Sequence, residues 1–439
     1  MSHRALGSLL LLAVASPQLH ADVIHVGPGP GAQFAEIQDA VVAAQPNDVL
    51  LVQPGMYLPV SVDKPLRILG DNGGGRVQIL GGATAALDIQ DIGLAEELVV
   101  FGVEPSTQQP DGFAIDIENC AGTVVLHDIK TDGAGTITFS HVRAIDCERV
   151  LVLESELIGG GFLIEVIAPP CCNQVHAGSI DAERSTIWLV NSEVTGRQTE
   201  SIFPVDGAPG VRLVESTLYA WRSTVAGGAG NLAPDAVASA EGGAGIDASE
   251  SSMFLYGGPL GEVLGGDGGF SFIAGVAWQA GPGIRLSNSE LTLQADLTVV
   301  GGEPLGGGPP EVPVEPPGAP VTEEARVFPT LAVDAPETFV GGTFQVALEG
   351  TPGATQVLGL SFATGPSLIL PGVAGIGIVD TGALFQIGQF ALDGLGQAST
   401  TLAVPPNPLL LGRTLFLQSL EASPSGPALS SPLLVCIIG

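Results

Sequence analysis

The sequence predicts an all-β chain: a right-handed parallel β-helix with an N-terminal capping helix, followed by a C-terminal antiparallel β-sandwich. Three observations predict it. The first is an internal repeat between residues 178 and 302, with "SIDAERSTIWLVNSEVTG" from Ser179, "GVRLVESTLYAWRSTVAG" from Gly210, "GIDASESSMFLYGGPLGE" from Gly245 and "GIRLSNSELTLQADLTVV" from Gly283. Each copy alternates aliphatic and other residues in three short runs separated by bends, the pattern of one three-sided coil. The second is composition: 62 Gly and 34 Pro with only 14% charged residues suit many short strands joined by tight turns. The third is the run of alternating segments after Phe328, such as "TFQVALEG" and "TLFLQSLEA", spaced as in a small sandwich.

The elements follow in order. Residues 1–21 read as a signal peptide, with His3 and Arg4 before an apolar run from Ala5 to Ala15 that is too short to span a bilayer. In "FAEIQDAVVAAQPNDVLLVQPGMY" the residues Phe34, Ile37, Val41 and Ala44 share one helical face, which can cover the unpaired edge of the first coil. The β-helix then spans 22–302. Its glycine-rich insertions, such as "GGAGNLAPDAVASAEGGA", all leave at the same corner and should fringe one edge. Residues 303–327 are rich in Pro, Gly and Glu and read as a stiff linker, and 328–439 form the sandwich module.

Charge narrows the partners. A formal net charge of −32 repels nucleic acid and anionic membrane, and disfavours a polyanionic substrate without a local cation. No segment is long and apolar enough to span a membrane. Five cysteines in an exported chain leave one unpaired. Cys120 and Cys147 sit in the similar contexts "ENCAGTVVL" and "IDCERVLVL", which predicts adjacent rungs and a disulfide. The neighbouring Cys171 and Cys172 are wrongly spaced for a tetrahedral metal site, and Cys436 reads as a core residue.

The stretch from Ile24 to about Ile79, with "FAEIQDAVVAA", "VLLVQPGMY" and "LRILGDN", resembles the start of the pectate-lyase-like and pectin-esterase-like β-helix superfamily. That resemblance implies the fold, and for its active members polysaccharide cleavage, with Ca2+ as cofactor in a lyase. The esterase motifs resembling "GTVDFIFG" and "LGRPW" are not in this sequence, so no catalytic residue carries over. The C-terminal part is similar to terminal β-modules of large secreted bacterial proteins, which implies attachment or display.

Aligned outward positions offer the candidates for chemistry. Asp181, Arg212, Asp247 and Arg285 form one column of alternating sign, and Arg184, Glu215, Glu250 and Asn288 a second. Such alternation reads first as cross-rung ion pairing and second as a site. Ser185, Ser216, Ser251 and Ser289 recur at a bend, where hydroxyls bond turn backbone rather than attack substrates. The acid/base candidates are His127, Asp128, His141 and Asp146, with His176 in the following insertion. They show no metal-ligand spacing, so no metal and no cofactor is expected.

One further column concentrates aromatics. With Ile187 and Leu189 inward, Trp188 faces out, followed by Tyr219 and Trp221, then Phe254 and Tyr256. The column starts at Leu151 and Leu153 and ends at Thr292 and Gln294. Such a patch is rarely left bare. It is covered by the protein's own loops or C-terminal domain, or it is a subunit interface, or it is a platform on which sugar rings stack. The sequence thus points to an exported or cell-surface protein that binds or displays, with carbohydrate or a surface partner as ligand. The alternative is a polysaccharide lyase or glycoside hydrolase.

Overall fold

The alternation of apolar residues closes into parallel coils. In the computed structural model, residues 21–438 are described apart from 72–74, 83, 108–112, 132–139, 160–177, 198–205, 231–239, 258–260, 272–275, 278, 305–308, 325–327, 335–336, 363, 369, 371–372, 376, 380–383, 408–409 and 431. Each coil contributes one strand to a nine-stranded sheet, one to an eleven-stranded sheet and one to a third face, which is made of a three-stranded and a six-stranded sheet. All pairing in these four sheets is parallel and in register, so identical coil positions stack. Ile180–Glu183 thus lies beside Val211–Val214, and Thr186–Val190 beside Thr217–Trp221. The inward column Ile187, Leu218, Met253 and Leu291 is at most 2% exposed and runs through the solenoid core.

The bends are as regular as the strands. Between the nine-stranded and eleven-stranded sheets one residue per coil adopts positive φ: Asn119, Asp146, Arg184, Glu215, Glu250 and Asn288 all lie between 48° and 57°. The residue after it caps the turn. Ser216 Oγ donates to Val214 O at 2.7 Å and accepts from Ser185 N at 3.1 Å, and the same exchange recurs at Ser185, Ser251 and Ser289. A second hydroxyl ladder, Ser155, Ser192 and Ser223, turns the chain onto the third face. These serines close turns, as their position at the bends predicts.

The first coil is covered by the helix Ile37–Ala43, whose Ile37, Ala40 and Val41 are buried while Phe34 packs partly against the same core. The far end departs from expectation. Val314–Glu315 pairs with Ile284 and Arg285, and Val321–Glu324 pairs with Leu291–Gln294, so residues 314–324 of the stretch read as a linker continue the coil. Its prolines are tolerated because a terminal strand has no neighbour awaiting their missing N–H.

The insertion limbs have a structure of their own. Where each coil leaves the third face and returns, outgoing and incoming limbs stack alternately. Ala208 N donates to Arg197 O, Gly228 N to Ala208 O, Gly243 N to Gly228 O, Gly266 N to Gly243 O, Gly281 N to Gly266 O and Gly302 N to Gly281 O, six bonds of 2.7–3.2 Å. The limbs approach so closely that a Cβ on Gly228 would lie 1.8 Å from Arg197 O and one on Gly281 1.9 Å from Gly243 O. Glycine is therefore required here for contact, and these stretches form an ordered slab.

The C-terminal module is a two-sheet sandwich. Thr330–Val333, Thr343–Glu349 and Gln397–Ala403 form one antiparallel sheet. Phe385–Ala391, Thr355–Ser361, Thr414–Ser423 and Leu433–Ile438 form the other, with Glu337–Phe339 added in parallel at its edge. Leu331, Phe344, Val346 and Leu348 meet Leu358, Leu415, Leu417 and Val435 between the sheets.

Candidate functional site

The outer face of the eleven-stranded sheet carries the aromatic column, and its register is as the alternation predicts. Leu151 pairs with Trp188, Trp188 with Tyr219, Tyr219 with Phe254 and Phe254 with Thr292. The rings stack along the rungs. Trp188 and Trp221 lie 5.1 Å apart at 12°, Tyr219 and Phe254 5.1 Å apart at 18°, and Trp221 and Tyr256 5.3 Å apart at 23°.

As an open platform, however, the column is corrected. Trp188 is 1% exposed, Trp221 3%, Tyr256 6% and Tyr219 7%, because Phe328, Ala374, Phe416 and Ala428 of the C-terminal module pack on them with Phe254 at the margin. Phe328 meets Tyr256 edge-on at 4.9 Å, and Arg222 Nη1 donates to Leu331 O at 3.4 Å. The cover extends to the early coils, where Gly412 lies against Arg67 and Leu69. Of the three readings the sequence left open, the chain's own domain provides the cover. A continuous apolar strand such as "TIWLV" is the mark of burial on both faces.

The acid/base candidates do not converge. His127 occupies the outward column that continues through Leu153, Val190, Trp221 and Tyr256. It is 1% exposed, edge-on to Phe101 at 5.0 Å, with Nε2 3.6 Å from Glu154 Oε2 and Nδ1 without a hydrogen-bond partner. Asp128 follows at a positive-φ bend. Asp146 lies on the other bend, at the opposite end of the strand layer, where Arg184 grips it at 2.6 and 2.9 Å and holds its carboxyl below the usual range. His141 lies in the strand Ser140–Ile145 of the nine-stranded sheet. His176, Cys171 and Cys172 fall outside the described residues. Among the described residues, no three His, Cys, Asp or Glu side chains are grouped to hold a metal ion. A residue the sequence did not single out joins His127 at the domain seam: burial, with Asp128 and Glu154 nearby, pushes the Glu337 carboxyl up while His127 opposes the shift. Its partners are more than 180 residues away in sequence, so no local pattern could reveal it.

The disulfide expectation is also corrected: Cys120 and Cys147 are in register on adjacent rungs, yet both are free thiols. In-register side chains on parallel strands point the same way, about 4.8 Å apart. A disulfide needs Cβ atoms about 3.5–4.5 Å apart, closer than adjacent rungs stand, so the two thiols meet as a hydrogen-bonded pair.

On the nine-stranded sheet the polar column is longer than the repeat alone indicates. Ser61, Asp88, Asp116, Arg143, Asp181, Arg212, Asp247, Arg285 and Glu315 stack one per rung. Arg143 clasps Asp116 at 2.6 and 2.8 Å and lies 4.3 Å over the Phe113 ring, Arg212 meets Asp181 at 2.9 Å, and Arg285 meets Glu315 at 2.9 Å. The signal for the upstream members was present in "AIDIEN" and "HVRAID", whose alternation matches the later copies. Half-burial outweighs the arginines at Asp181 and Asp247 and pushes both carboxyls up.

No protein-family profile matches the sequence, and no curated protein does. Among solved structures the chain is similar to the enzymatically active domain of tailspike protein 2 of bacteriophage CBA120, at 10% identity and a TM-score of 0.31, over 96% of this chain and 77% of that one. No helix among the described residues is long and apolar enough to cross a membrane.

Proposed function

We propose that this is an exported or cell-surface protein that binds an extended, uncharged glycan along the outer face of its nine-stranded sheet, without cleaving it. The observation that carries the proposal is the polar column itself. Nine strands at about 4.8 Å give a straight row about 38 Å long. One planar carboxylate or guanidinium sits on nearly every rung, partly exposed, with lone pairs and N–H groups left over from its ion pair. A repeating row of this kind matches a linear polymer better than a small molecule, and sugar hydroxyls can both donate to carboxylates and accept from arginine. The acidic chain disfavours a polyanionic glycan. The opposite long sheet is engaged by the module, which leaves this face as the presenting one.

The test is a glycan array with the purified full chain, followed by the pair substitution Asp181→Asn with Arg212→Gln. Binding to neutral polysaccharides that falls at least tenfold in the variant, with unchanged circular dichroism, supports the proposal. Binding that the variant retains, or release of shortened chains from any bound polysaccharide, defeats it.

A further inference from the structure

The bend that caps every coil shows where the chain departs from its own rule. At the position of Ser185, Ser216, Ser251 and Ser289, two consecutive earlier rungs carry Cys120 and Cys147. The structural task of the position is to accept an amide from the rung before and donate to the carbonyl two residues back. Cysteine keeps the second role, since Cys147 Sγ lies 3.2 Å from Ile145 O and Cys120 Sγ 3.4 Å from Glu118 O. It performs the first more weakly than a hydroxyl. Turn closure alone therefore explains serine and leaves the paired thiols unexplained.

The surroundings differ at these two rungs as well. Ser185 is followed directly by its strand residue Thr186, whereas Glu148 is inserted after Cys147, and Ala121 and Gly122 after Cys120. The widened corner opens a shallow depression with the two cysteines at its floor and Asp146, Glu148 and Arg184 at its rim. Both cysteines are themselves at most 1% exposed. The Cys147 thiol and the backbone N–H groups of Ile92 and Asp91 hydrogen-bond Cys120, so the two sulfurs are neighbours across the rungs.

We propose that Cys120 and Cys147 form a two-thiolate site for a single soft monovalent cation, copper(I). Soft thiolates select such ions. The two thiols meet across adjacent rungs at the floor of the depression, so one ion can take a sulfur from each in place of their protons. Binding releases both thiol protons, and the bis-thiolate with its cation carries one negative charge beside the Arg184 guanidinium. No electron transfer is involved.

The experiment uses the full chain, reduced and handled without oxygen, with Cys171, Cys172 and Cys436 replaced by Ser so that only this pair remains. Copper(I) is delivered from a chromophoric chelator and competition is read optically. Expected is one copper per chain and a thiolate-to-copper charge-transfer absorption in the ultraviolet. Cys120→Ser or Cys147→Ser in that background should lower affinity at least about 100-fold. Serine occupies the position on four other rungs, so the fold is expected to survive, and unchanged urea unfolding verifies it. Copper bound no better than by the cysteine-free chain overturns the proposal. So does a thiol assay showing that the pair is already a disulfide in the chain as exported.

Discussion

Replacing Trp188 and Trp221 by Ala tests whether the module is held by the aromatic column. Each indole is almost wholly buried, Trp188 at 1% and Trp221 at 3% exposure. An aromatic of this kind buries about 150–250 Å2, and at about 25 cal/mol per Å2 that is roughly 4–6 kcal/mol. Truncation of a buried Trp costs about 3–5 kcal/mol. The rings stack 5.1 Å apart, so the two losses overlap, and the double variant should lose about 6 kcal/mol. That is a large share of the ~5–15 kcal/mol that holds a domain together. Ile187 and Leu189 face the solenoid core and stay in place, so the coils should persist while the module detaches. Small-angle scattering should show a longer molecule, and hydrogen exchange should accelerate in Thr414–Ser423 but not in Ile180–Glu183. A compact variant with slow exchange in both, or coils that melt with the module still bound, would refute the reasoning. Trp188→Phe is the control: Trp188 Nε1 has no hydrogen-bond partner, so the smaller ring should retain docking.

Three other outcomes follow from the same geometry. Gly228→Ala should lower the urea midpoint markedly, because its Cβ would lie 1.8 Å from Arg197 O, whereas Gly394→Ala, with open space around it, should not. Ser216→Ala leaves the Ser185 N–H unpaired in a buried bend and should cost about 1–3 kcal/mol by chemical denaturation. Stability should fall as pH rises from the ordinary carboxylate value of about 4.3 toward neutrality. Burial raises Glu337, Asp181 and Asp247 in the folded state, which therefore holds protons that the unfolded chain has released. A urea midpoint that is flat or higher at pH 8 than at pH 5 would contradict that sign.

What the sequence revealed depended on whether the partner was local. Alternation placed Ile187 inward and Trp188 outward because each coil repeats the same three-sided path, and in-register stacking then fixed Tyr219 and Phe254 above it. The cover over those rings was illegible, since Phe328, Ala374 and Phe416 are scattered through a module with its own periodicity. His127 reads as an acid/base candidate beside Asp128, yet its place in the same outward column puts it under that module. Composition misled at 303–327: proline and glutamate read as linker, but the final coil needs little propensity when Leu291–Gln294 supplies a template edge. The cysteine register was readable, and the bond drawn from it failed because adjacent rungs stand farther apart than a disulfide's Cβ separation.

A stacked coil touches only its neighbours, so a solenoid of this kind would ordinarily fray from its ends one rung at a time. The module changes that. It rests on Leu69 in an early coil and on Tyr256 in a late one, with Val99, Val125 and Leu151 between. Loosening any of those rungs loosens a contact with a body that the others also hold. The coils are thereby tied into one cooperative unit, and denaturation should proceed as a single transition across the rungs that the module spans.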